Sequence, residues 1–226
     1  MVRGVPLAQK TIMSNTDYNI DQIVRETSIG KTVDGHEHIV KLIGTYQSTS
    51  HGNNFRHILT FPVAVCDLEQ LLEDFEALRN TDKGYTLGTQ CEVGIRLLIL
   101  GFVASLSPLV SPADVGQRLL EMTGCITKAV WWIHSQNVQD RDLKPHNILL
   151  RPQQIHLTDF GISRAARNAT TQSYSGHSAG YSAPEVIRQG DVNQAQADIF
   201  SALRSDLRRA SGCGQKVYCG PPKASR

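Results

Sequence analysis

The 226-residue sequence predicts an α+β fold on three observations. Two apolar-rich runs, 38–43 and 57–61, read as strands close enough in sequence to be antiparallel neighbours. Apolar residues recur at spacings of three and four along 68–75 and 119–133, the mark of helices with one buried face. A second strand pair, 147–150 and 155–157, encloses the turn candidate Arg151-Pro152-Gln153-Gln154. With 40% hydrophobic residues the chain can fill the core of one domain, which excludes disorder throughout.

Taken in order, residues 7–12 read as a short strand, and Ser14-Asn15-Thr16-Asp17 supplies breakers before a helix from about Ile20 to Ile29. A polar loop rich in Ser, Asn and Gly separates the next two strands, so a small mixed sheet packed against a helix is expected. Asp67 can cap a helix whose Leu68, Leu71, Leu72 and Phe75 lie on one side. From Asn80 to about Pro112 an apolar run without clean caps reads equally as an insertion helix or a poorly ordered loop. Leu119, Met122 or Thr123, Ile126, Val130 and Ile133 then define a helix that stops before Ser135-Gln136-Asn137. Of Trp131 and Trp132 on that helix, one is expected in the core and one half exposed.

Charge excludes some partners. The 23 Lys and Arg against 21 Asp and Glu leave a net of +2, no general reason to expect nucleic acid. Residues 201–226 hold six basic residues and one acidic residue, against 17 and 20 in the rest, so the basic excess belongs to the tail. The first twenty residues lack an apolar signal region, and the longest apolar stretch, 97–110, contains Gly101, Ser105, Ser107 and Pro108; no transmembrane segment is expected. Five scattered cysteines (Cys66, Cys91, Cys125, Cys213, Cys219) fit neither a disulfide framework nor a paired zinc site, which points to a reducing intracellular compartment, cytoplasmic or nuclear. His36 and His38 lack a convergent carboxylate or cysteine pair, so capping or packing is expected of them rather than metal binding.

The chemistry surrounds the hairpin. Asp142 precedes Lys144 by two residues and Asn147 by five, and Asp159 follows twelve later. Asn147 and Asp159 are oxygen donors suited to Mg²⁺, Asp142 is left to orient a hydroxyl, and Lys144 can neutralise phosphate oxygens.

Asp140-Arg141-Asp142-Leu143-Lys144-Pro145-His146-Asn147 resembles the catalytic loop of protein kinases, H-R-D-L-K-P-x-N; Asp159-Phe160-Gly161 resembles their D-F-G motif, and Ala183-Pro184-Glu185 completes the ordered series. The Lys-Pro pair, and Ser178 three residues before Tyr181, are similar to serine/threonine kinases. The resemblance implies a protein-kinase-like bilobal fold: a partial small N-lobe sheet with helix C and the hinge in 1–63, a mainly helical partial C-lobe with the catalytic loop and activation segment in 64–201, and a basic, disordered tail in 202–226. It implies ATP and Mg²⁺ as cofactors, with phosphoryl transfer to Ser/Thr hydroxyls of a protein substrate. Catalytic roles fall on Asp142 and Lys144, and metal binding on Asn147 and Asp159. Lys10 of Ala8-Gln9-Lys10 would hold phosphates and pair with Glu26; Thr60 would be the gatekeeper, with Phe61-Pro62-Val63 as the hinge against adenine. Asp198 resembles the residue that fastens the catalytic-loop backbone. Arg141 before Asp142 implies an upstream activating kinase, with Thr170, Thr171, Ser173 and Ser175 as candidate acceptors.

The sequence departs from the family pattern in three places. No Gly-x-Gly-x-x-Gly precedes Lys10, and Gly30-Lys31-Thr32 lacks the preceding glycine and spacing of a phosphate-binding loop. Asp140 stands where the loop pattern has His, and its carboxylate is expected to repel Asp142 and Asp159 unless it faces solvent, with reduced activity. After Ser201 the composition changes abruptly, as expected of a truncated or mis-spliced reading. The alternative function is therefore a catalytically silent kinase-like interaction module.

Overall fold

The computed structural model describes residues 4–79, 87–102, 112–161, 164–165, 198 and 201. Expectations for Ser178, for the acceptors at 170–175, for Ala183-Pro184-Glu185 and for the tail lie outside the described residues, as do 80–86 and 103–111.

Strand β1 (Ala8–Met13) is the edge of an antiparallel sheet ordered β1-β3-β2, with β2 at Lys41–Ser50 and β3 at Asn53–Phe61. The expected polar loop between β2 and β3 is instead their continuation, paired through Thr49↔Asn54 and Ser50↔Asn53. The turn is only His51-Gly52, both at positive φ (48° and 77°), the two-residue geometry that suits a twisted hairpin and that Gly adopts without penalty. Ser, Asn and Thr are tolerated there because the outer part of β2 is exposed on both faces, so pairing rests on the backbone. The sheet is antiparallel throughout rather than mixed.

Helix α1 (Asp17–Thr32) extends the expected 20–29 helix by three residues at each end. Thr16 acts as its N-cap, accepting from the Asn19 amide at 3.3 Å, while Asp17 and Lys31 complement the dipole at the two ends. Gly30-Lys31-Thr32 is the last turn of this helix, so it forms no phosphate-binding loop.

Residues 33–40 attach the first sheet to the rest. Trp132 Nε1 donates to the Val33 carbonyl (2.9 Å), the His38 ring meets the Ile155 carbonyl (3.1 Å), and Leu157 exchanges backbone bonds with His38 and Val40. His36 stacks on Trp132 at 5.6 Å, so both histidines pack as expected. Trp132 is partly buried, whereas Trp131 is 70% exposed, further out than the half exposure expected.

Strand β4 (Cys66–Asp67) leads into α2 (Leu68–Arg79), capped by Asp67 Oδ1 on the Gln70 amide (2.8 Å). Leu68 and Leu71 are fully buried, with Leu72 and Phe75 packed beside them. In the ambiguous 80–112 stretch, Leu87–Leu100 forms helix α3. Helix α4 (Pro112–Ser135) starts before Leu119, with a proline at its first position where no amide partner is lost. Its Ile126, Ala129, Val130 and Ile133 enter the core with Val93, Leu97 and Leu100 of α3.

Short strands β5 (Val138–Gln139) and β8 (Arg164–Ala165) pair with each other. A 3₁₀ turn at Pro145–Asn147 precedes the hairpin of β6 (Ile148–Arg151) and β7 (Gln154–Leu157), so Asn147 sits in the turn rather than in the strand. Strand β4 pairs with β6, making a second antiparallel sheet. No described helix is long and apolar enough to cross a membrane.

Candidate active site

Two polar clusters flank the hairpin. In the first, Lys10 Nζ donates to both Glu26 oxygens (3.0 and 2.9 Å) and to Asp159 Oδ1 (2.8 Å). Lys10 reaches them because Ala8, Lys10 and Ile12 share the inner face of β1. Glu26 is the deep member, its side chain 10% exposed, while Lys10 and Asp159 (39% and 40%) border water. Burial on its own lowers the Lys10 pKa, but the Glu26 and Asp159 charges together hold it above its ordinary value. Two carboxylates thus share one ammonium. Burial pushes the Glu26 carboxyl above its usual range against the pull of Lys10, and Asp159 adds to the push.

The second cluster lies on the loop entering the hairpin. Lys144 Nζ donates to Asp142 Oδ2 at 2.6 Å, and Asn147 Nδ2 to the Asp142 carbonyl at 2.9 Å. That bond fixes the Asn147 amide, leaving its Oδ1 as the oxygen available to a ligand. The Thr158 amide donates to the Asn147 carbonyl (3.0 Å), so Asp159 follows directly on a residue tied to the second cluster.

Thr60 lies across from Ala8 and Leu42, on the same sheet face as Lys10. Phe61 ends β3, and Val63 is half exposed on the connector that the Val65 amide docks to the Leu150 carbonyl (2.8 Å). None of these three joins the side-chain hydrogen bonds of either cluster among the described residues.

Asp198 organises the loop from behind. Its Oδ2 accepts from the Asp140 amide (2.9 Å) and meets His134 Nε2 (3.0 Å); Oδ1 accepts from the Arg141 amide (2.9 Å). The contact holds Arg141 at φ 73°, a left-handed conformation that costs a non-glycine residue on the order of 1–3 kcal/mol; Asp159 is similarly strained at φ 64°. Asp140 is 1% exposed, so its carboxylate is buried rather than turned to solvent. His134 was not legible as a site residue, because its partner lies 64 positions away and α4 offers no motif around it.

Among the described residues, no group of three or more His, Cys, Asp or Glu side chains can hold a metal. A site made of one exposed carboxylate and one oriented amide oxygen still suits Mg²⁺, which keeps most of its coordination for water and phosphate oxygens.

A family model described as the protein kinase domain matches residues 108–202. The human phosphorylase b kinase gamma catalytic chain, liver/testis isoform, is 32% identical over 165 residues, 73% of this chain and 31% of that one. Cyclin-dependent kinase 1 of Encephalitozoon cuniculi is 32% identical over 155 residues (66% and 40%), and a cyclin-dependent kinase 4 homolog of Caenorhabditis elegans 33% over 108 residues (47% and 24%). The chain spans less than half the length of these relatives. Residues 108–202, which contain the second cluster and Asp159, are homologous to a protein kinase domain.

Proposed function

We propose that this chain binds ATP with Mg²⁺ and transfers a phosphoryl group to Ser/Thr hydroxyls of a protein substrate. The observation that carries the reading is Lys10 bridging Glu26 and Asp159, the latter 149 positions from Lys10 in sequence, with Asp159 one residue beyond Thr158, whose amide donates to the Asn147 carbonyl. Lys10, anchored by Glu26, would bind phosphate oxygens; Thr60, Phe61 and Val63 would line the adenine subsite; Asn147 Oδ1 and Asp159 would hold the cation. Mg²⁺ supplies charge neutralisation on the phosphates when bound. Asp142 would orient the attacking hydroxyl and take its proton as the new O–P bond forms and the bond to the ADP oxygen breaks, while Lys144 offsets charge on the transferred group. An upstream kinase acting on 170–175 would regulate the site through Arg141, inside the cell, where Cys66, Cys91 and Cys125 stay reduced.

The buried Asp140 favours a second reading, a silent kinase-like interaction module. Mg²⁺-dependent ATP turnover and peptide phosphorylation, measured beside Asp142→Ala and Asp159→Ala, discriminate the two. Transfer above both variants supports the enzyme; a signal no higher than theirs overturns it, and partner binding independent of nucleotide then favours the module.

A further inference from the structure

Lys10 sits on the edge strand β1, and the residues of the opposite face of that strand, Gln9, Thr11 and Met13, are exposed. What crosses this outer face is a polar bracket. His57 of β3 lies opposite both Thr11 of β1 and Tyr46 of β2 in register. Its Nδ1 meets Gln9 Nε2 at 3.1 Å and Thr11 Oγ1 at 3.0 Å, so one ring atom is bonded to the residues on both sides of Lys10. Tyr46 stacks on the ring, with centroids 4.3 Å apart, and donates its hydroxyl to Gln9 Oε1 at 2.8 Å, closing a circuit over three strands. Under this cover His57 is only 8% exposed.

An amide nitrogen can only donate, so Nδ1 accepts, and the ring proton stands on Nε2, which donates to Ser48 Oγ at 2.7 Å. Thr11 then donates its hydroxyl to Nδ1 and accepts from Gln9 Nε2 at 3.1 Å. On the inner face, the three bonds of Lys10 Nζ to Glu26 and Asp159 are between 2.8 and 3.0 Å long. A shift of β1 against β3 carries Lys10 with Gln9 and Thr11, so whatever fixes the outer face fixes the reach of the ammonium.

We propose that His57 is a positioning residue for Lys10: its Nδ1 acceptor pins Gln9 and Thr11 and holds the segment between them where Nζ reaches both carboxylates. The bracket belongs to the ligand-free chain; its consequence for ATP rests on the functional reading above and deepens it.

The test uses two amides that each imitate one imidazole nitrogen. His57→Asn keeps an acceptor oxygen where Nδ1 stood; His57→Gln keeps a polar group at the Nε2 position facing Ser48 and leaves Gln9 and Thr11 without their acceptor. In the ligand-free protein, lysines are acetylated with a limiting active ester and quantified one by one by mass spectrometry. The amine reacts only unprotonated, which pairing with two carboxylates opposes, so His57→Gln should speed Lys10 acetylation about threefold relative to exposed Lys31 and Lys41. His57→Asn should stay near the wild-type ratio, although both variants lose the Tyr46 stack and their Tm values fall alike. In a second arm, His57→Gln should weaken binding of ATP carrying a fluorescent ribose label about fivefold, the cost of one misplaced hydrogen bond of ordinary strength, and His57→Asn should not. Should His57→Gln fail to fold, Gln9→Met, at an exposed position, removes the same link and repeats both arms. A Lys10 ratio that rises equally in both His57 variants, or in neither, makes the histidine merely structural and overturns the assignment; an unchanged ratio in Gln9→Met does the same. Wild-type protein that binds no labelled ATP sinks the functional reading, and the acetylation arm still decides the bracket.

Discussion

Arg96 of α3 grips Asp74 of α2 through two parallel hydrogen bonds, Nε to Oδ2 at 2.8 Å and Nη2 to Oδ1 at 2.7 Å. Asp74 is 2% exposed, so the guanidinium is its compensation for leaving water, and hydrogen bonding to Asp74 in turn raises the Arg96 pKa. Arg96→Leu should destabilise the fold by about 3 kcal/mol, because it strands a buried carboxylate. Adding Asp74→Leu should restore most of that loss. Urea unfolding of both variants checks it; a double variant no better than the single would show that the pair acts through something other than charge.

Gly30 lies inside α1 with an ordinary helical backbone, and a Cβ there would meet Leu42 at 3.8–3.9 Å, normal van der Waals distance. Gly30→Ala should therefore stabilise by about 1 kcal/mol, as expected for removing a glycine from a helix interior. A Tm rise of a few degrees is the readout; a fall would mean that α1 and β2 sit closer than these distances.

Asp159 borders water, so its loss should cost folding little, about 1 kcal/mol or less. Phosphoryl transfer should drop by about 10²–10³-fold in Asp159→Asn, the scale of removing one preorganised electrostatic contact. Chemical denaturation and peptide phosphorylation on the same preparation separate the two effects. Comparable losses in both would make Asp159 structural.

His156, buried in β7, has its pKa pushed down to about 4, first by burial and then by Arg151 and His38. The folded state therefore holds it neutral, while the unfolded chain takes up a proton near pH 6.5. Its contribution to stability is present above about pH 6.5 and falls away as the pH drops toward 4. His156→Leu should flatten that part of the stability curve, read by unfolding at a series of pH values. An unchanged curve would assign the acid sensitivity to other groups.

Asp198→Ala should orphan the Asp140 and Arg141 amides, each worth about 1–3 kcal/mol when buried without a partner. Asp198→Asn, which retains one acceptor oxygen, should lose less. The difference in unfolding midpoint between the two measures how much of the strained Arg141 backbone is held from this side chain.

Local signals were the readable ones. Asp67 followed by Leu68, Leu71, Leu72 and Phe75 announces both the cap and the buried face of α2, and the strand–turn–strand pattern around Arg151–Gln154 gives the hairpin. The outer half of β2 escaped because a strand exposed on both faces needs no apolar alternation. Helix α3 stayed ambiguous because Ile95, Leu98 and Ile99 are exposed apolar residues that blur its buried stripe of Val93, Leu97 and Leu100. At the site, the spacing of Asp142, Lys144 and Asn147 within six residues was legible as a cluster. The Lys10–Glu26 pairing came through resemblance.

The stitching of 33–40 to α4 and β7 gives α1 a fixed end. Glu26 lies about 10 Å along the helix from Val33, and Asp17 about 24 Å, at 1.5 Å per residue. A tilt of roughly 10° about that fulcrum would carry Glu26 about 2 Å and Asp17 about 4 Å. Two ångströms would be enough to part a carboxylate from an ammonium 2.9 Å away, so the Lys10–Glu26 contact is only as secure as the anchoring of that helix end.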